Sequence, residues 1–91
     1  MRRADEVMRE MLETFEQRGA LYKDNYLLIG QVLEVIFPDG VQLLTQGDHN
    51  RYHLFIQCLN KLLRLAMTDL SHQDSAHDLA VYAAMLEGLL E

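Results

Sequence analysis

Apolar residues recur every three or four positions along most of the chain, and this spacing predicts amphipathic helices. The first predicted helix runs from Ala4 to Arg18, and Gly19 is expected to end it. Its apolar positions share one stripe opposite a charged face: Val7, Met8, Met11, Leu12 and Phe15. Such a stripe is typical of a helix that packs on one side.

A second helix is predicted after a short polar connector. Asp24 or Asn25 can cap its start, and the apolar spacing continues to Ile36. Pro38-Asp39-Gly40 is expected to form the turn that ends it, because proline and glycine favour turns over helix. Residues 41–44 are then predicted to be extended or irregular.

Two capping-box patterns predict the last two helices. Thr45, with Asp48 three residues later, opens a long third helix that ends near Met67. Ser71, with Asp74 three residues later, opens a fourth helix that runs through Leu90. No strand pair or repeat is found. The pattern therefore predicts an all-α fold of about four helices.

The charges of the last two predicted helices are complementary. The third carries Arg51, Lys61 and Arg64 against the single acid Asp48, whereas residues 69–91 contain five acids and no Lys or Arg. Because the connection between these helices is short, we expect them to form an antiparallel hairpin.

Composition fits one helical domain over residues 1–91 and favours self-association. Hydrophobic residues make up 49% of the chain, yet a chain this short buries only about 60 to 65% of its unfolded surface. We therefore expect a homo-oligomer. A net charge of −6 opposes non-specific binding to nucleic acid. Without an apolar run of about 18 residues, a disulfide pair or a signal-peptide start, the chain is expected to be cytoplasmic and not to enter a membrane.

Charged side chains are expected to meet between the two helices of the hairpin. Asp74 and Asp78 lie one turn apart on the fourth helix, and Lys61 and Arg64 share a stripe on the third. These groups allow two interpretations. They can form salt bridges between the helices, or the carboxylates can hold a divalent cation while the basic groups hold phosphate. A metal site would need more oxygen ligands than the two aspartates supply.

The connector before the second helix is rich in aromatic and hydrogen-bonding residues, namely Tyr22, Lys23, Asp24 and Asn25. One interpretation is a loop that stacks on a nucleobase or hydrogen-bonds a ribose. The other is a helix cap with Tyr22 packed against the bundle. The sequence favours neither.

Three motifs resemble those of a small, phage-rich family of unassigned function. They span most of the chain, from Phe15 to Leu86, and read Arg18-x-x-x-Tyr22-x-Asp24-Asn25, Lys61-x-x-Arg64 and His72-x-Asp74-Ser75-x-x-Asp78-Leu79-Ala80-x-Tyr82-Ala83. That family is distantly similar to MazG-like nucleotide pyrophosphohydrolases. These are all-α bundles that oligomerise and hydrolyse nucleoside triphosphates with magnesium held by acidic residues on two helices. The resemblance implies a MazG-like bundle with a nucleotide site.

The chain departs from the family patterns at two places. Lys61-x-x-Arg64 lies about where the MazG-like enzymes have a Glu-x-x-Glu pair, which replaces magnesium ligands with cations that suit an anion. Lys23 stands where the phage-rich family usually has glycine. The resemblance therefore supports a nucleotide pocket better than it supports hydrolysis.

We accordingly expect a phage anti-defence protein that binds a nucleotide or nucleotide-derived immune signal without turnover, in the host-cell cytoplasm. No cofactor is expected. The expected ligand-binding residues are Arg18, Tyr22, Lys23, Asp24, Asn25, Lys61, Arg64, Asp74 and Asp78. Two alternatives remain: a magnesium-dependent nucleoside triphosphate pyrophosphohydrolase that recruits ligands from another subunit, and a protein inhibitor of a host enzyme.

Overall fold

A computed structural model describes all 91 residues and contains four α-helices, one short 3-10 helix and no strand. The helices are α1 (Ala4–Tyr22), α2 (Ile29–Ile36), α3 (Gln46–Met67) and α4 (Gln73–Leu90), and the 3-10 helix is Asn25–Leu27. The prediction of an all-α fold with about four helices is confirmed. None of the four helices combines the length and the apolar content needed to cross a bilayer.

The first helix is longer than predicted, because Gly19 does not end it. α1 continues to Tyr22 and ends at Lys23, whose backbone is left-handed with φ 53° and whose N–H donates to the Gly19 carbonyl at 2.8 Å. A left-handed residue bonded in this way is a common helix end. The second helix also starts later in the sequence than predicted. Residues 25–27 form the 3-10 helix, and α2 begins at Ile29.

The capping box of α3 is confirmed. The Thr45 hydroxyl accepts from the Asp48 N–H at 3.0 Å, and the Asp48 carboxylate accepts from the N–H groups of Leu44 and Thr45, each at 3.1 Å. Because these backbone bonds stabilise the ionised carboxylate, they hold the pKa of Asp48 below its ordinary value of 3.8. The bond from Leu44 has the larger effect and the bond from Thr45 the next. The start of α3 is therefore fixed by local bonds.

The predicted capping box of α4 is wrong. His72 occupies the N-cap position, and neither it nor Ser71 caps the helix with its side chain. The Ser71 hydroxyl donates instead to the carbonyl of Thr68, in the turn that ends α3. Its side chain is thus already used by the loop between the two helices.

α3 and α4 pack together as a hairpin, joined by residues 68–72, and this pair holds most of the contacts between helices. Only two hydrophobic residues of the whole chain are buried, Leu59 and Leu63 of α3. The other buried residues are Lys61 and Ser75, one on each helix of the hairpin. The core is therefore small, and much of the apolar surface of the chain stays exposed.

Candidate functional site

A polar cleft lies where the end of α1 and the 3-10 helix meet the last turns of α3. Its volume is about 270 Å³, and it is lined by Phe15, Arg18, Gly19, Tyr22, Asp24, Asn25, Tyr26, Asn60 and Arg64. Two guanidinium groups and one carboxylate contribute formal charge to this lining. The cleft therefore carries a net positive charge in a chain whose overall charge is −6.

The loop that forms one wall of the cleft holds two consecutive left-handed residues. Lys23 has φ 53° and Asp24 has φ 55°, although neither is glycine. The turn carries the Asp24 carboxylate back over α1. A Cβ atom at position 19 would lie 2.8 Å from the Asp24 Oδ1 atom, so the absence of a side chain at Gly19 makes room for this carboxylate. Gly19 thus leaves space for the Asp24 side chain and does not end the helix.

The left-handed backbone at Lys23 predicts that Lys23→Gly stabilises the protein by about 0.5 to 1 kcal/mol. A left-handed conformation costs a residue with a Cβ atom roughly 1 to 2 kcal/mol, and part of that gain is offset because glycine is more flexible when unfolded. Urea unfolding followed by circular dichroism measures the change. Lys23→Ala, which removes the charge but keeps the Cβ atom, should give no such gain, and equal stabilisation by both variants would contradict the explanation.

Arg64 is held over an aromatic ring. Its guanidinium carbon lies 4.8 Å from the centroid of the Tyr22 ring, a cation–π arrangement. The Tyr22 ring contacts His72 edge-on, with 5.7 Å between the ring centroids. His72 Nδ1 lies in turn 2.6 Å from the hydroxyl oxygen of the buried Ser75. The start of α4 thus supports the aromatic platform on which Arg64 rests.

Two buried polar atoms among the lining residues have no hydrogen-bond partner, Nδ2 of Asn25 and Nε of Arg64. A buried donor without an acceptor costs about 1 to 3 kcal/mol. Arg64 also makes no ion pair with any carboxylate of the chain. The folded chain thus leaves two hydrogen-bond donors unpaired in side chains that line the cleft.

An exposed aromatic pair forms the outer wall of the cleft. Phe15 and Tyr26 meet edge to face with ring centroids 6.1 Å apart, and about half of each residue is exposed. Asn60 lies one turn before Arg64 on α3 and adds an amide that can both donate and accept hydrogen bonds. The cleft therefore combines aromatic surface, amides and guanidinium groups.

The structure brings five of the nine predicted site residues into the cleft: Arg18, Tyr22, Asp24, Asn25 and Arg64. The other four lie outside its lining. Lys23 and Asp74 are exposed, and Lys61 pairs with Asp78 at 3.3 Å between its Nζ and a carboxylate oxygen. The salt-bridge interpretation thus describes Lys61, whereas Arg64 belongs to the cleft.

Four lining residues were not selected from the sequence: Phe15, Gly19, Tyr26 and Asn60. Asn60 carried a usable signal, because it lies four residues before Arg64 and therefore on the same helical face. Phe15 was assigned to the apolar stripe of α1 and Gly19 to the end of that helix. Both assignments treated the two residues as structural and missed that this face of α1 continues into the cleft.

No three His, Cys, Asp or Glu side chains lie close enough together to share a metal ion. Asp78, one of the two aspartates considered as ligands, has Lys61 beside its carboxylate. A second and larger cavity, of about 410 Å³, lies between α2 and the start of α3. Its lining is mainly apolar, and Glu34 is its one charged residue. It lacks the converging polar groups of the cleft.

No protein-family model matches this chain, and comparison with curated proteins and with solved structures finds no match to it either.

Proposed function

We propose that the cleft binds a nucleotide or a nucleotide-derived molecule without converting it. The observation that carries this proposal is Arg64, held over Tyr22 at 4.8 Å, free of any ion pair, with its buried Nε lacking an acceptor. A guanidinium fixed in this way suits bidentate binding of a phosphate group. A second guanidinium, from Arg18, lines the same cleft.

The remaining lining residues suit the other parts of a nucleotide. The exposed rings of Phe15 and Tyr26 offer aromatic surface for a base, since every base has a face that can stack. The amides of Asn25 and Asn60 can hydrogen-bond base edges or ribose hydroxyls. Anion, base and sugar recognition would thus come from separate residues of one cleft. In a phage, such a binder would suit sequestration of an immune messenger.

The preference for binding over hydrolysis rests on the charges at the cleft. Its ionic side chains are two arginines and a single aspartate. Magnesium prefers several oxygen ligands in octahedral arrangement, so a lining of this kind favours the phosphate over the metal. An enzyme would need further carboxylates from a second copy of the chain.

A thermal-shift screen with nucleoside triphosphates, cyclic oligonucleotides and ADP-ribose derivatives, each with and without magnesium, tests the proposal. A ligand at about 100 times its dissociation constant should stabilise the fold by roughly 2.7 kcal/mol. That corresponds to a rise in Tm of about 10 °C or more in a chain of this size. Arg51→Ala, on α3 but outside the cleft and paired with Asp48, should keep the shift, whereas Arg64→Ala should lose it.

The same incubations separate the competing functions. A binder should release no pyrophosphate from triphosphates and magnesium over hours. Steady release that disappears in an Asp78→Asn variant shown by circular dichroism to be folded would establish the pyrophosphohydrolase instead. If no nucleotide produces a shift, the cleft does not bind this class of ligand and the inhibitor interpretation gains.

A further inference from the structure

The chain exposes far more surface than a folded monomer of its size. Its solvent-accessible surface is 7088 Å², whereas a monomer of 10.6 kDa is expected to expose about 5,500 Å². Its radius of gyration is 16.3 Å, against about 12 Å for a compact domain of this length. The excess of about 1,600 Å² per chain is spread over the whole molecule, and it is similar in size to the roughly 1,000 to 2,500 Å² that each partner buries in an obligate dimer.

The apolar face of α1 is the clearest uncovered surface. Met8, Met11, Leu12 and Phe15 follow the i, i+3, i+4, i+7 spacing of one helical stripe, and each is between 51% and 65% exposed. No residue of α1 is buried. The same stripe continues at Gly19 and Tyr22, which line the cleft. One end of this apolar face thus lines the cleft, and the rest of it is exposed.

The distribution of charge along α1 favours one orientation for a second α1. Residues 2–9 carry three arginines and two acids, whereas residues 10–18 carry three glutamates and one arginine. Arg2, Arg3 and Arg9 pair with acids of their own chain, and the net charges that remain are +1 for residues 2–9 and −2 for residues 10–18. Two antiparallel copies place these oppositely charged halves side by side, whereas two parallel copies place like-charged halves together. An antiparallel pair about a two-fold axis is also self-complementary, as a closed dimer requires.

We propose that the chain forms a homodimer in which the apolar faces of the two α1 helices pack antiparallel, with Met8 of each copy beside Phe15 of the other. The centre of the stripe lies between Met11 and Leu12, which sets this register. Because Phe15 also lines the cleft, the second copy lies at the rim of each cleft and covers part of the Phe15 ring, so Tyr26 supplies the larger share of the exposed aromatic surface there. This inference is independent of which ligand the cleft binds.

Light scattering of the full chain at micromolar concentration gives the first test, with an expected mass of twice 10.6 kDa. Met11→Glu places a charge in the stripe and should raise the dimer dissociation constant at least about tenfold. Gln17→Glu adds the same charge on the opposite face of α1 and should leave the mass unchanged. A monomer mass for the unmodified chain, or a Met11→Glu variant that dimerises as well as Gln17→Glu, would overturn the proposal.

A disulfide test covers the case in which Met11→Glu fails to fold. In a chain carrying Cys58→Ala, the pair Met8→Cys and Phe15→Cys should give a covalent dimer on oxidation. Mass spectrometry of the joined peptides should find position 8 linked to position 15. Links of 8 to 8 and 15 to 15 would show parallel helices and overturn the proposal, as would a failure to cross-link. If the mass exceeds that of a dimer, the 8-to-15 link still decides whether this pairing is present.

Discussion

Replacing Arg64 by lysine should weaken nucleotide binding at least about tenfold, roughly 1.4 kcal/mol, while leaving the fold intact. Lysine keeps the positive charge and most of the aliphatic stem. It cannot donate two parallel hydrogen bonds to a phosphate, and it lacks the flat group that lies over the Tyr22 ring. Isothermal titration with the ligand returned by the thermal-shift screen measures the loss.

Two controls make this result specific. Arg51→Lys changes the same residue type on the same helix, where the guanidinium pairs with Asp48 instead of lining the cleft, and its affinity should equal that of the unmodified chain. Circular dichroism and the mass in solution should show that Arg64→Lys folds and assembles normally. Unchanged affinity in folded Arg64→Lys and Arg64→Ala variants would mean that the ligand binds elsewhere.

The helices were predictable where their signals are local. The Thr45 and Asp48 capping box uses groups that lie within four residues of one another, so the sequence pattern contains the whole interaction. The pattern at Ser71 and Asp74 is the same, but the Ser71 hydroxyl is taken by the Thr68 carbonyl and the N-cap position belongs to His72. A competing acceptor in the preceding turn, which the capping pattern does not include, changed that outcome.

The cleft was predictable only in part, for a similar reason. Tyr22, Asp24 and Asn25 lie together in sequence, so their grouping needs only that one loop. The contact between Arg64 and Tyr22 joins residues more than forty positions apart, and no sequence pattern predicts it. The resemblance only grouped the two residues in one expected site. The packing of α1 also decides whether Lys61 or Arg64 faces the loop. No spacing within α3 contains that information.

The left-handed backbone of Lys23 and Asp24 would suit glycine better than either residue present. A position with φ 53° favours glycine over a residue with a Cβ atom. The turn therefore does not require a lysine at position 23. Its side chain is exposed and lies outside the cleft lining, although its charge had suggested a ligand contact.

Lys61 and Asp78 form an ion pair between α3 and α4. Removing one partner should change the stability of the fold by a very different amount from removing the other. The Lys61 side chain is 11% exposed, whereas that of Asp78 is 46% exposed. Asp78→Ala leaves an ammonium group nearly buried without its partner, which we expect to destabilise the fold by about 2 kcal/mol. That is less than the roughly 3 to 5 kcal/mol typical of fully buried pairs, because half of Asp78 already contacts water.

Lys61→Met is the matched variant, since it replaces the buried charge with an apolar side chain of similar length. Asp78 then loses its partner but can be hydrated, and the methionine fills the space between the helices. We therefore expect the free energy of unfolding to change by no more than about 1 kcal/mol, because apolar residues of similar volume often replace buried ion pairs without loss.

Urea unfolding of both single variants and of the double variant measures the difference between the two substitutions. In the double variant, Lys61→Met should remove most of the cost of Asp78→Ala, because the damage comes from the unpaired ammonium. Equal destabilisation by the two single variants would contradict this explanation and assign the cost to the lost attraction between the charges.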